Sequence, residues 1–334
     1  MTFIPKYSIT PRLMQTLIQI TEIRVKIEDA AISVQWMPRL SKDNFNRLAH
    51  SSTAIEGNPL TLREVELLSA GKDVPQRKPR DKADVANYHR ALKYITDHAQ
   101  KKITEKDILK LHSIIGDGYV ITQGPVGEYR DYAVSVGPHN PPKYPEVPGL
   151  VSELLDWLGH EKETLNGVVL SAIAHYQFEY IHPFGDGNGR VGRLLAIWVL
   201  FNTQFDTHHI ISVDEEFQEN RDTYYKALRK AETANGDITS WIEYAADAVL
   251  AALKRAFKRI QAIQVQEKSG RKIVLNEKQE RLLVLLHNAP MSVPEMMQEL
   301  KVTKGGVHFL IKPLLEHGII VKKGGHKTGK YEIN

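Results

Sequence analysis

Thirteen consecutive residues, Ile181 to Arg193, read I-H-P-F-G-D-G-N-G-R-V-G-R and bring together a histidine, an aspartate, an asparagine, two arginines and closely spaced glycines. Each residue type has a use if the ligand is a polyphosphate. Gly185, Gly187 and Gly189 let the backbone come close and take positive φ. The N–H groups of a helix start carry the positive end of the macrodipole and suit an anion. Arg190 and Arg193 are three apart, share one helical face and could hold successive phosphates bidentately. Asp186 is the kind of oxygen ligand that Mg²⁺ takes beside phosphates. His182 can accept a proton near neutral pH, as a general base must. There is no Gly-Lys-Ser/Thr ending as in a Walker A loop. No strand pattern precedes the glycines, which argues against a dinucleotide-binding turn.

Helical patterns flank the stretch, over roughly 168–180 before it and 194–201 after it. It therefore reads as a loop between two buried helices, its second half opening the next helix. H-P-F-G-D-G-N-G-R-V-G-R resembles the signature of the Fic-domain family, H-x-F-x-D/E-G-N-G-R-x-x-R, with every position filled. The resemblance implies a mostly α fold: a Fic helical core with a short β-hairpin flap. It also implies transfer of AMP from ATP to a Ser, Thr or Tyr hydroxyl of a target protein, or of the chain itself. His182 would be the base and Asp186 the Mg²⁺ ligand. Gly187, Asn188 and Gly189 would cradle the α- and β-phosphates, Arg190 and Arg193 would hold the outer ones, and Phe184 would anchor the loop.

Upstream, Thr10-Pro11 opens an amphipathic helix to about Val34. A second helix, about Asp43 to Glu56, is stopped by Gly57-Asn58-Pro59. Thr61 to Glu64 forms a capping box stapled by Leu60 and Val65. The segment Ser52 to Gly57 is similar to the family's inhibitory helix, S/T-x-x-x-E-G/N. That likeness implies an inhibitory Glu56 that pairs with Arg193 and denies it to the γ-phosphate, with Ser52 opening the pattern. A charged linker covers 72–84. Helices follow over Val85–Ala99 and from the Thr104 cap to about Ile115. Gly124 to Gly137, rich in Tyr and Val between Gly and Pro, reads as a short hairpin. It resembles the family's flap, which implies that Val134, Ser135 and Val136 align the target's backbone by strand addition. His139 reads as a surface residue in irregular loop. Gln218 to Leu228 resembles the helix whose Tyr-Tyr pair helps to form the adenine pocket, which implies Tyr225. Asp237 or Thr239 caps a long helix to about Val265. The resemblance covers roughly residues 40–255.

Beyond a polar linker at Glu267–Lys272, three helices are expected: Glu277–Asn288, one capped by Ser292, and one capped by Thr303 that Pro313 interrupts. Two short strand patterns follow, at 319–321 and 331–333. Together they look like a winged helix-turn-helix. From Lys301 onward there are seven lysines against two glutamates, an excess that phosphate contacts would use. The third helix has no Arg, Asn or Gln to read bases, so the module could contact DNA or protein. The expected division is 1–100 (carrying the inhibitory helix, about 43–57), 101–266 (the catalytic core) and 273–334 (the winged helix).

Composition is that of a soluble globular protein, 42% apolar and 25% charged, with a net charge of +4 too mild to name a partner. The absence of Cys and of a secretory leader fits a reducing, cytoplasmic setting, and no apolar run is long enough to span a membrane. Two alternatives stay open for the same site: removal of AMP, with Glu56 orienting water, and transfer of another phosphate-containing group. A reading of another class is a DNA-binding regulator with a nucleotide-sensing Fic domain. Analogy with similar proteins adds a homodimer.

Overall fold

In the computed structural model the described residues are 3–30, 37–118, 120–137, 139–206, 208–268, 275–323 and 329–333. Two helices, α7 (Gly167–Ile181) and α8 (Asn188–Asn202), are apolar on nearly every side and buried along most of their length. Such helices have no solvent face and must sit at a centre. They pack along one another, and the Ile181–Arg193 stretch is the turn between them.

Nine other α-helices are described up to Lys268. In chain order they are α1 (Pro11–Glu28), α2 (Met37–Ile55), α3 (Leu62–Ser69), α4 (Pro79–Asp97), α5 (Glu105–Gly116), α6 (Val147–Glu161), α9 (Val213–Glu219), α10 (Arg221–Glu232) and α11 (Thr239–Lys268). α2 packs against α4 and α9, while α4 and α5 cover α8 and α6 covers α7. The shared core runs from Leu48 through Tyr88, Leu111 and Leu154 to Phe178, Phe184 and Trp198. Local chemistry starts these helices as expected. Thr61 and Glu64 exchange side-chain and backbone bonds in a capping box before α3, and Thr104 with Asp107 does the same before α5.

The described residues fall into two compact units. One holds residues up to Ile20 and from Met37 to Ala252; the other holds the rest of α1 and everything from Leu253 onward. Helix α2, with its Glu56 end, and the motif-bearing helices thus share one unit. The second unit contains α12 (Glu277–Asn288), α13 (Val293–Leu300), α14 (Lys304–Glu316), β1 (Ile320–Lys323) and β2 (Lys330–Ile333). The strands pair antiparallel, from Ile320 opposite Ile333 to Lys323 opposite Lys330, over a core that includes Leu282, Met296, Val307 and Leu314.

Several expectations change. The Gly124–Gly137 stretch forms no strand ladder; Val136 and His139 exchange one pair of backbone bonds, each 3.0 Å. Prolines at 141 and 142 have no N–H with which to extend it. The Gln218–Leu228 pattern is split at Asn220, whose φ of −123° and ψ of 47° end α9 and begin α10. Pro313 does not interrupt α14, which runs on to Glu316. The bond a proline forfeits is to the carbonyl four residues back, and Phe309 lies on the exposed side of the helix. The last residues of the expected first helix, most of the 267–272 linker and residues 324–328 of the glycine- and lysine-rich turn lie outside the described residues.

Candidate active site

Helix α7 ends at His182, which takes a left-handed conformation (φ 49°, ψ 62°) and is followed by Pro183. A non-glycine residue pays of order 1 kcal/mol there and needs support. Its own N–H donates to the Phe178 carbonyl at 2.9 Å. Most of the remaining support comes from Arg130. Arg130 Nε donates to the His182 carbonyl at 2.8 Å and Nη2 to the Pro142 carbonyl at 2.6 Å. The Arg130 backbone N–H donates to the Pro183 carbonyl at 2.9 Å. A buried cation thus closes the C-terminal end of α7, where the helix dipole favours positive charge. Replacing Arg130 by Gln strands several of these carbonyls. We expect a loss of about 2–3 kcal/mol in denaturant unfolding, with His182 displaced.

The loop beyond is anchored from inside. Phe184 is fully buried and stacks on His112 with centroids 3.7 Å apart. The Asn188 side chain accepts from Phe184 N–H and donates to its carbonyl, both at 2.9 Å. This differs from the expected phosphate-cradling role: the Asn188 amide is spent on shaping the loop, which leaves its backbone N–H at the start of α8 to meet an anion. His112 Nδ1 accepts from Gly127 N–H at 2.9 Å, so Nε2 carries the proton and donates to the Asp186 carbonyl at 3.0 Å. Burial lowers its pKa to about 4. The folded value lies below the ordinary 6.5, so the unfolded chain binds the proton first. His112 therefore contributes stability above about pH 6.5 that is lost as pH falls toward 4. Unfolding midpoints measured between pH 7 and 4.5 should fall, and His112→Gln should flatten the slope.

The two arginines do not converge. Arg190 Nη1 donates to Asp84 Oδ1 at 2.8 Å and Nη2 to Asp186 Oδ1 at 3.3 Å. Arg193 lies on the other side, fully buried, with Nε on Ser52 Oγ at 2.7 Å. Its Nη2 reaches the Ser52 carbonyl at 3.0 Å and Glu56 Oε1 at 2.7 Å. Helical spacing put both on one face, but partners on α4 and α2 draw them apart. Gly189 leaves room beside them, since a Cβ there would press on the end of the Glu56 side chain. Asp214 and Tyr88 complete the buried setting of Arg193. Burial pushes Asp214 up to about 6 despite the pull of Arg193.

Asp186 is partly exposed, and its carboxylate also accepts from Thr122 N–H at 3.1 Å and Gly187 N–H at 2.6 Å. Among the described residues no cluster of three His, Cys, Asp or Glu could hold a metal by itself. One accessible carboxylate fits Mg²⁺ that keeps its waters and is held chiefly by phosphates.

A cleft of about 370 Å³ opens beside His182, lined also by Val136, Tyr180, Tyr225, Arg229 and Glu232. Tyr225 faces it with Arg221 5.6 Å over its ring, while its neighbour Tyr224 is buried and bonded to His175. Of the expected flap residues, Val136 lines the cleft, while Val134 and Ser135 do not. His139 is not a surface residue. It is buried, with Nδ1 2.6 Å from Glu232 Oε1 and Nε2 2.9 Å from the Tyr180 carbonyl, and so ties the flap to α10 and α7. Burial holds His182 neutral, with its pKa lowered to about 4. Arg130 and His112 carry no role in the sequence reading, and His139 was expected at the surface. The available signal was a histidine on the apolar face of α5 and a lone arginine in a Tyr- and Val-rich segment.

His182 beside a cleft, the glycine loop and the buried Arg190 and Arg193 sit together where α7 meets α8, on the stretch that carries the Fic/DOC family signature. Residues 102–200 match that family, and the chain belongs to it. It is similar to Protein adenylyltransferase Fic of Nematostella vectensis, 32% identical over 238 residues, 70% of this chain and 53% of that protein. The same-named protein of Drosophila willistoni is 32% identical over 213 residues, 63% of this chain and 41% of that one. The chain thus spans about half the length of the curated relatives it matches. A Fic family protein from Desulfovibrio desulfuricans superposes with a TM-score of 0.67 at 27% identity, covering 99% of this chain and 98% of that one. Fic-1 from C. elegans, at 24% identity and TM-score 0.61 over 77% of this chain and 73% of that one, shares the fold.

Proposed function

We propose that this protein moves AMP from ATP to a Ser, Thr or Tyr hydroxyl of a target protein, and that Glu56 holds it inactive. The observation that carries the reading is the grip of Ser52 and Glu56 on Arg193, one turn into the helix that the glycine loop opens. A carboxylate stands where a terminal phosphate would have to bind. The names of the relatives supply the nucleotide and the protein target.

In the transfer, the target oxygen bonds to the α-phosphorus, the bridge to the β-phosphate breaks, and pyrophosphate leaves with the bonding pair. His182 takes the hydroxyl proton. The backbone N–H groups of Gly187, Asn188 and Gly189 face the phosphates, Arg190 and Arg193 balance their charge, and Tyr225 walls the base side. Mg²⁺, held beside Asp186, would neutralise further phosphate charge. Positioning and charge stabilisation dominate such transfers. ATP labelled on the α-phosphate should label protein, and ATP labelled on the γ-phosphate should not; label from γ would mean a phosphate transfer instead.

A second reading, AMP removal, draws on Glu56 itself. It meets Arg193 through Oε1 and is partly exposed, so its other oxygen is placed to orient a water. Release of AMP from modified protein by the wild type but not by Glu56→Gln would support it.

We read the C-terminal unit as a winged helix that docks a partner. Three of its lysines already face glutamates: Lys312 with Glu316, Lys323 with Glu332 and Lys330 with Glu295. That pairing weakens the case for DNA phosphates. Among the described residues no helix is long and apolar enough to cross a membrane.

A further inference from the structure

Glu179 stands one helical turn before His182, on the otherwise apolar α7. Its side chain is only 16% exposed, and Oε2 lies 4.0 Å from His182 Nδ1. Glu179 Oε1 has no hydrogen-bond partner and His182 Nδ1 has none of good geometry, although both are buried and the Glu179 backbone carbonyl also lies close to the His182 ring. Buried polar atoms are nearly always paired. Two complementary orphans on adjacent turns amount to an interaction poised but unmade. The fold makes room for the carboxyl: it lies over Gly192, where a Cβ would collide with Oε1.

Resting on the transferase reading above, we propose that Glu179 is the positioning residue for His182. In the transferring state its carboxylate accepts the hydrogen bond of His182 Nδ1–H. That bond fixes the tautomer that leaves Nε2 to act as base, and it balances the imidazolium formed when Nε2 takes the target's hydroxyl proton. The proton stays on His182, and Glu179 gains none.

Glu56 keeps the pair apart. The charged and titratable groups facing Glu179 are Arg193 from α8, Glu56 from α2 and Tyr224 from α10. His139, Arg130 and Glu56 face His182. Burial pushes the Glu179 carboxyl up to about 7, Arg193 pulls it down, and Glu56 raises it. Loss of Glu56 removes a like charge and frees Arg193, so Glu179 ionises more readily and His182 gains a counter-charge. One residue thereby withholds both a phosphate site and the partner of the base.

The test is an NMR titration of ¹³C-labelled histidines, with His182 assigned by its disappearance in His182→Ala. From Glu56→Gly to Glu56→Gly/Glu179→Gln the His182 midpoint should fall by about one pH unit. The transfer kcat should fall about tenfold, with KM for ATP within about twofold and the acid limb of the pH profile moved down. A comparison that leaves Glu179 untouched guards against a misfolded variant. From wild type to Glu56→Gly the His182 midpoint should rise, whereas loss of the Glu56 charge alone would lower it. An unchanged midpoint on removing Glu179, or a fall on removing Glu56, overturns the proposal. The titration needs no turnover, so absence of AMP transfer in Glu56→Gly would count against the proposed function separately.

Discussion

Glu56→Gly is expected to raise AMP transfer by about 10- to 100-fold, the usual range for the coupling energy of an internal effector. Glu56 sits just past the end of α2, in a turn closed by Gly57 at φ 94°. Asn58 fixes that turn by donating to the Asp81 carbonyl at 2.9 Å and to Asp84 Oδ2 at 3.0 Å. The backbone is thereby fixed where the Glu56 side chain reaches Arg193. The helix is held in turn by Asn44, which donates to the His209 and Ile211 carbonyls, and by Arg47 on Glu215 at 3.1 Å. Removing Glu56 deprives Arg193 of one charged partner but leaves both Ser52 contacts. Because Glu56 is partly exposed, the stability cost should be about 1–2 kcal/mol, below that of breaking a fully buried pair. ATP should then stabilise the variant more than the wild type, since a phosphate can replace the missing carboxylate. Thermal denaturation with and without ATP reads both effects. Equal stabilisation of the two proteins by ATP would argue that Glu56 does not compete with phosphate.

His182→Ala, made in the Glu56→Gly background, should lower transfer by about 10²–10⁴-fold, the contribution of a positioned base. The fold should survive. The bonds that hold position 182 in its left-handed conformation come from its own N–H and carbonyl, and Ala retains both. ATP binding should also survive, because the groups proposed to face phosphate lie on the loop and α8. Calorimetric ATP affinity within about threefold of the parent, with transfer abolished, separates a lost base from a lost fold. A parallel fall in affinity and rate would place His182 in binding instead.

The Ile181–Arg193 segment was legible because its chemistry is packed into one turn and one helix start. Helix caps at Thr61, Thr104, Ser292 and Thr303 were legible for the same reason: each is satisfied within about four residues. The Glu56–Arg193 contact spans 137 residues of sequence and entered through family resemblance, since no periodicity points to it. What stayed hidden was the use of side chains over long range. Arg130 closes a helix 52 residues away, and His139 joins a helix 93 residues away. Neither leaves a local pattern. Asn188 and Arg190 were visible as polar residues of the motif, but whether a polar side chain serves the loop or a ligand depends on neighbours that only the packed structure supplies.

On the proposed function, His182 as base and Arg193 serve one reaction, which Glu56 suppresses. Purified wild type, Glu56→Gly and Glu56→Gly/His182→Ala should each be incubated with α-labelled ATP, and label followed into protein. The account predicts faint label in the wild type, strong label in Glu56→Gly and none in the double variant. Label equal in wild type and Glu56→Gly, or undiminished in the double variant, would contradict it.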